Sequence, residues 1–180
     1  EVEALCEQYG MDKEECARWY DGYRLTDTID IYNPLAVVSA MRNQEFESYW
    51  SATGSFEALK DYIMMDFKGI KQDVIDMISG KSVLVNVKKF QNTLQSITNK
   101  DNAFTYLIHL GYLSYNRKDK TCRIPNEEVR QEWVNSIDDE ENYAPIMEII
   151  NASKKLLDAT VEGNEEAVEK ALDAAHTEVT

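Results

Sequence analysis

The sequence predicts a mainly α-helical protein carrying small β-hairpins, and three observations lead there. Apolar residues recur at spacings of three and four along most of the 180 residues. Alternating or β-branched runs are short and confined to about 23–31, 83–87 and 112–124. Glycines and an Asn-Pro pair stand where the helical stripes begin or stop.

Val2, Leu5 and Tyr9 share a helical face and Gly10 ends it, so 2–9 reads as a short helix. Asp12 with Glu15 three positions on resembles a capping box, and Cys16, Trp19 and Tyr20 give the next helix its apolar stripe. Asp21-Gly22 breaks that helix, because glycine accepts the left-handed conformation that often follows a helix end. Tyr23–Leu25 and Ile29–Ile31 flank a polar Thr26-Asp27-Thr28 connection and read as a hairpin. Asn33-Pro34 starts a helix: Asn caps free amides, and the fixed φ of Pro suits the first helical position. Leu35, Val38 and Met41 are its expected buried face.

Tyr49-Trp50 reads as a short extended piece, and Ser51, Thr53 or Ser55 as the cap of a helix carrying Phe56, Leu59, Tyr62 and Ile63. Gly69 precedes a helix with Ile70, Val74, Ile75 and Ile78, ended by Gly80. Val83–Val87 is expected to be a strand. Asp101 is expected to start a helix through Leu110, apolar on most sides and therefore buried. Residues 112–115 then pair with 121–124 across Asn116–Lys120, and helix followed by hairpin is a winged-helix signature. Asn126 caps a helix to about Ile137, with Glu127 and Glu128 at its positive end. Asp138–Asn142 is an acidic break, 143–160 one long helix, and Gly163-Asn164 a turn into a last helix carrying Val168, Leu172 and Ala175. The expected partition is 1–80, 81–137 and 138–180.

A hydrophobic fraction of 43% suffices for a real core. No apolar run reaches the roughly 20 residues of a membrane span, and the N-terminus lacks a basic-then-apolar leader, so a cytoplasmic protein without membrane partners is expected. Cys6, Cys16 and Cys122 are odd in number and widely spaced, which argues for thiols rather than zinc ligands or disulfides. The net charge is −14, unevenly spread. Residues 126–180 hold 4 Lys/Arg against 15 Asp/Glu, whereas 81–123 hold 8 against 2. Overall acidity discourages nucleic-acid binding; the basic stretch permits it.

Three phrases stand out: Trp19-Tyr20-Asp21-Gly22-Tyr23-Arg24, then Ile31-Tyr32-Asn33-Pro34, then Tyr49-Trp50-Ser51-Ala52-Thr53-Gly54. With the later Leu107-Ile108-His109-Leu110-Gly111-Tyr112-Leu113 and Arg123-Ile124-Pro125-Asn126-Glu127-Glu128-Val129-Arg130, they resemble bacterial AAA-ATPase-like proteins, usually carried on a polypeptide that ends in a PD-(D/E)XK nuclease-like domain. The resemblance implies a helical lid subdomain over 1–80, a winged-helix domain over 81–137 and a helical connector over 138–180. It also implies an ATP- and Mg-binding P-loop of the form RRFGKT upstream and the nuclease cluster downstream, neither within this chain. The expected partners are therefore the ATPase core and nuclease-like domain of the same polypeptide. Glu1 at the start and Thr180 inside a helical pattern agree with an internal segment.

No cofactor site is expected in the chain. Gly80-Lys81-Ser82 matches the end of a phosphate-binding loop by letter, but it lacks the preceding glycine and runs from helix to strand, the reverse of the required context. The lid's position makes Arg18 and Arg24 candidates for sensing nucleotide, with surface ion pairing as the competing account. His109 and His176 have no local catalytic signature, so no enzyme activity is assigned. The acidic run 138–141 reads as a solvated loop rather than a metal site. The expected function is a non-catalytic lid and winged-helix module that relays nucleotide state or mediates protein interactions. The alternative is a DNA-contacting module acting through 81–123, with Arg117, Lys118 and Lys120 on phosphates. The aromatic residues Trp19, Tyr20, Tyr23, Tyr32, Tyr49 and Trp50, with Asp21, Gly22, Asn33 and Pro34 at the turns between them, are expected to form a packing hub.

Overall fold

Helices α1 (Val2–Tyr9), α2 (Lys13–Tyr20) and α3 (Pro34–Asn43) build the first layer of core in the computed structural model. The model describes residues 1–26, 29–50, 56–65, 67–89, 97–138 and 143–177. The mainly helical class expected from the sequence holds among these residues, with one two-stranded and one three-stranded antiparallel sheet. Two compact units are present, Glu1–Ser136 and Ile137–Thr180.

The α1–α3 core buries Cys6, Cys16, Trp19, Tyr20, Ala36, Val37, Ala40 and Met41. Asp12 caps α2 by accepting from the Glu15 amide at 2.7 Å, and Asn33 caps α3 by accepting from the Leu35 and Ala36 amides at 3.2 and 3.4 Å. The expected buried face of α3 is rotated. Leu35 and Val38 are 57% and 58% exposed, while Ala36, Val37 and Ala40 face the core with Met41. Small side chains let α3 approach α1 and α2 closely, and packing depth outweighed hydrophobicity in choosing the face. Between α2 and α3, β1 (Tyr23–Thr26) pairs antiparallel with β2 (Ile29–Ile31).

Helix α4 (Phe56–Ile63) buries Tyr62 and Ile63; the caps proposed for it at Ser51, Thr53 and Ser55 lie outside the described residues. Helix α5 (Ile70–Ile78) leads to β3, which covers only Val83–Leu84. The expected strand to Val87 is cut short. Val85 still donates to the Lys120 carbonyl at 3.0 Å, but the Asn86 side chain accepts from the Lys88 amide at 3.2 Å and turns the chain into a 3-10 turn at Val87–Lys89. Helix α6 (Lys100–His109) is capped by Asn99, which accepts from the Asn102 amide at 3.0 Å, not by Asp101. It is followed by β4 (Ser114–Asn116) and β5 (Thr121–Arg123), and the sheet order is β3-β5-β4.

Helix α7 (Glu127–Asp138) starts at Asn126, whose side chain accepts from the Val129 amide at 3.0 Å. It buries Val129 and Trp133, and Trp133 Nε1 donates to the Tyr112 carbonyl at 3.1 Å, which fixes the turn after α6. In the second unit, α8 (Ala144–Val161) and α9 (Glu165–Thr177) form a helical hairpin. Asn164 caps α9 by accepting from the Ala167 amide at 3.1 Å. No helix of the described residues is long and apolar enough to cross a membrane.

Candidate functional site

The aromatic phrases converge on the segment from Pro125 to Glu132. Gly22, at φ 110°, lies so close to Pro125 that an added Cβ would sit 2.0 Å from its carbonyl oxygen. Asn126 Nδ2 donates to the Asp21 carbonyl at 2.8 Å, so one Asn caps α7 with its oxygen and ties the break after α2 with its nitrogen. Asn33 does the same work in reverse: its oxygen caps α3 while Nδ2 donates to Glu128 Oε2 at 3.2 Å. The Tyr49 amide donates to Glu128 Oε1 at 3.0 Å, and Ser48 Oγ to Glu132 Oε1 at 2.8 Å. The Tyr23 hydroxyl donates to the Gly111 carbonyl at 2.5 Å, and Trp50 packs on Tyr112 with ring centroids 5.9 Å apart. Pro34 holds the first turn of α3, and Tyr32 packs against the α1–α3 core. Tyr20 joins the two sides of that core: its hydroxyl donates to the Glu47 carbonyl at 3.0 Å and its ring lies among Trp19, Phe46 and Tyr49. Trp19 Nε1 donates to Glu15 at 2.9 Å. These contacts form a clasp inside the first unit, between residues 19–50 and 111–132.

Two carboxylates at the centre of the clasp carry no cation among the described contacts. Glu128 is 0% exposed and Glu132 3%. Burial pushes the Glu128 carboxyl above its ordinary range and neighbouring Glu132 adds to the rise, while bonds from the Tyr49 and Trp50 amides and from Asn33 oppose it. Glu128, expected to face the helix dipole from the first turn of α7, is instead buried. The signal available was the spacing of Glu128, Glu132 and Ser136, one face of α7 and all buried. Because Glu128 sits against Asn33, Asn33→Asp should cost about 2 kcal/mol, although Asp caps a helix as well as Asn does. A urea melt in which Asn33→Asp costs no more than Asn33→Ser would show that the carboxylate is not felt there.

A second feature is basic. A groove of about 580 Å³ is lined by Leu84, Lys88, Lys100, Asp101, Arg117 and Lys120, with Tyr115 at its wall. Lys100 is paired with Asp73 at 2.5 Å. Lys88, Arg117, Lys118, Lys120 and Arg123 are exposed and make no ion pair with the described residues. The β4–β5 turn that bears three of them is ordered by Asn116, whose side-chain oxygen accepts from the Lys118 and Asp119 amides at 2.9 and 3.3 Å and whose Nδ2 donates to Asp119 at 2.7 Å. Arg117, Lys118 and Lys120 were legible as a turn between strands. Lys88 and Lys100 carry no such local signal: the turn after β3 and the start of α6 meet the β4–β5 turn only in the folded chain.

Helix α6 offers that groove little to read with. Asn102, Ala103, Phe104, Thr105 and Leu107 are buried, and Tyr106 meets Tyr62 of α4 edge to face at 4.9 Å. Lys81 is held by Asp76 at 2.9 Å, between α5 and β3, so Gly80-Lys81-Ser82 stands at no helix N-terminus. Arg18 binds Glu15, with Nε to Oε2 at 2.9 Å, and its guanidinium lies over the Trp19 ring at 5.7 Å. The side chains of Arg24, Asp138 and His176, and residues 139–141 of the acidic run, lie outside what is described. The three cysteines are free and buried; burial pushes the Cys122 thiol up to about 12 and raises Cys16 as well, so neither holds a thiolate near neutral pH. Among the described residues no group of three or more His, Cys, Asp or Glu could hold a metal ion.

No protein-family model matches the chain, and no solved structure matches it. Among curated proteins it is similar to an uncharacterized protein in the vnfD 5' region of Azotobacter chroococcum mcd 1, with 35% identity over 54 residues. That match spans 30% of this chain and about a tenth of the relative.

Proposed function

We propose that the chain is a non-catalytic coupling module of a larger AAA-ATPase-like protein, a helical lid joined to a winged-helix domain, which relays nucleotide state to other parts of the polypeptide. The observation that carries this reading is the clasp. The residues most characteristic of the sequence are spent on joining residues 19–50 to 111–132, not on lining an open site. Two segments tied by partly buried bonds at several points move together, which is what a relay requires. The winged-helix part of the reading is supported by the order α5, β3, α6, β4, β5 and by the sheet order β3-β5-β4, with the β4–β5 turn as the wing. The cover over α6 supports a protein-contacting role rather than base reading by that helix.

The test uses the longer polypeptide that contains this segment. Hydrogen exchange should show ATP changing amide protection in both 19–50 and 111–136, and Asn126→Ala, which removes the bond to Asp21, should confine the change to the first segment. An unchanged exchange pattern in the variant, or ATP hydrolysis by residues 1–180 alone, would overturn the reading.

A further inference from the structure

We propose that the groove between β3, the N-terminal end of α6 and the β4–β5 turn holds the phosphodiester backbone of duplex DNA without reading its sequence. Three observations converge. First, the cations are uncompensated. Lys88, Arg117 and Lys120 line the groove and Lys118 stands on the same turn, all exposed; the acids nearby are Asp101 in the groove, Asp73 already on Lys100, and Asp119 held by Asn116. In a chain of net charge −14 that pairs Lys13, Arg18, Lys81, Lys100, Arg130 and Lys170 with carboxylates, four unpaired cations gathered at one groove and its turn favour an outside anion there. Second, the turn is pre-ordered. Asn116 pins its backbone, and Lys120 sits at φ 55°, a left-handed conformation that a glycine would occupy with less strain; its carbonyl is held by the Val85 amide. Charges on a fixed turn lose less freedom on meeting a rigid polyanion.

Third, the surroundings specify the ligand. Base reading needs polar side chains on an accessible helix, and α6 is buried at Asn102, Ala103, Phe104, Thr105 and Leu107 and covered at Tyr106 by Tyr62. Single strands are gripped by exposed aromatic rings that stack on bases, whereas Tyr115 is half-buried and the exposed apolar residue here is Leu84, 72% accessible. A duplex keeps its bases inside and offers evenly spaced phosphates, which matches cations without stacking rings. The inference needs only this groove and stands whether or not the relay operates.

Fluorescence anisotropy of the 180-residue chain with a labelled duplex of roughly 20 base pairs tests it. Binding should be equal for unrelated sequences and should weaken with salt at a log–log slope of about −3 to −4, four phosphate contacts at about −0.9 each. The variant Lys88→Gln/Arg117→Gln/Lys118→Gln/Lys120→Gln should bind at least about ten-fold more weakly and with a slope shallower by roughly 3. Lys154→Gln/Lys155→Gln, on α8 in the other unit, should bind as the unaltered chain does. Any of four results overturns the proposal: no association at about 25 mM salt, undiminished binding by the quadruple variant, single strands bound tighter than duplex, or poly-glutamate competing as well as duplex. The last would point to an acidic protein partner.

Discussion

Gly22→Ala is expected to lower the unfolding free energy by roughly 4 kcal/mol or more, the largest effect of a methyl added at any described glycine. The new Cβ would lie 2.0 Å from the Pro125 carbonyl oxygen and 2.6 Å from its carbon, both backbone atoms that no rotamer change can move. Gly22 also stands at φ 110°, where an L side chain is strained whatever the space. Relief requires the turn after α2 to back away from the segment before α7. That motion pulls on Asn126–Asp21, and it strains Tyr23–Gly111 and Asn33–Glu128 beyond it. Gly10→Ala is the matched control. Gly10 has φ 67° but nothing within 4 Å of an added Cβ, so only the conformational cost of about 1 kcal/mol applies. Urea melts followed by the fluorescence of Trp19, Trp50 and Trp133 measure both. Equal losses in the two variants would mean that the approach to Pro125 is not held in solution.

How far the sequence announces this arrangement depends on the range of the interactions. Asp12, Asn33, Asn126 and Asn164 are recognisable as caps because a side-chain oxygen reaching an amide two or three residues on is a local event. Asn99 escaped because Asp101, two residues later, has equal capping chemistry, and only the path of the chain out of 97–98 decides between them. The face of α3 depended on how near α1 and α2 come, which selects alanine over leucine without any periodic signal. The length of β3 depended on β5, some 37 residues away, offering only Thr121 and Cys122 as partners. The clasp shows the same division. Trp19, Tyr20, Tyr23, Tyr49 and Trp50 stood out as bulky aromatics near turns, yet their partners Asn126, Glu128 and Glu132 look like an ordinary helix start. Glutamates near a helix N-terminus satisfy the dipole equally well when solvated, so nothing local distinguishes a buried Glu128 from an exposed Glu127.

Glu128→Ala should cost about 3–5 kcal/mol, more than most surface glutamates could, because its partners lose their acceptor inside the protein. The Tyr49 amide and Asn33 Nδ2 would be left facing a void of four heavy atoms, and the Trp50 amide would lose the same acceptor. Glu128→Gln separates hydrogen bonding from charge. The amide oxygen can still accept from Tyr49, but its NH2 group meets Asn33 Nδ2, which cannot turn over without giving up the cap on Leu35 and Ala36. A smaller loss of about 1–2 kcal/mol follows at neutral pH. The pH dependence has a definite sign. Burial raises the Glu128 pKa above its unfolded value near 4.3, so between the two the folded chain binds more protons than the unfolded one. The stability tied to that proton is complete below the unfolded pKa and is lost as pH rises through the folded one. The margin of the natural chain over Glu128→Gln should therefore shrink as pH is raised from about 4 toward 8. A margin that grows over that range would mean that the bonds from Tyr49, Trp50 and Asn33 outweigh burial, and that the carboxylate, not the carboxylic acid, is the form the clasp is built to hold.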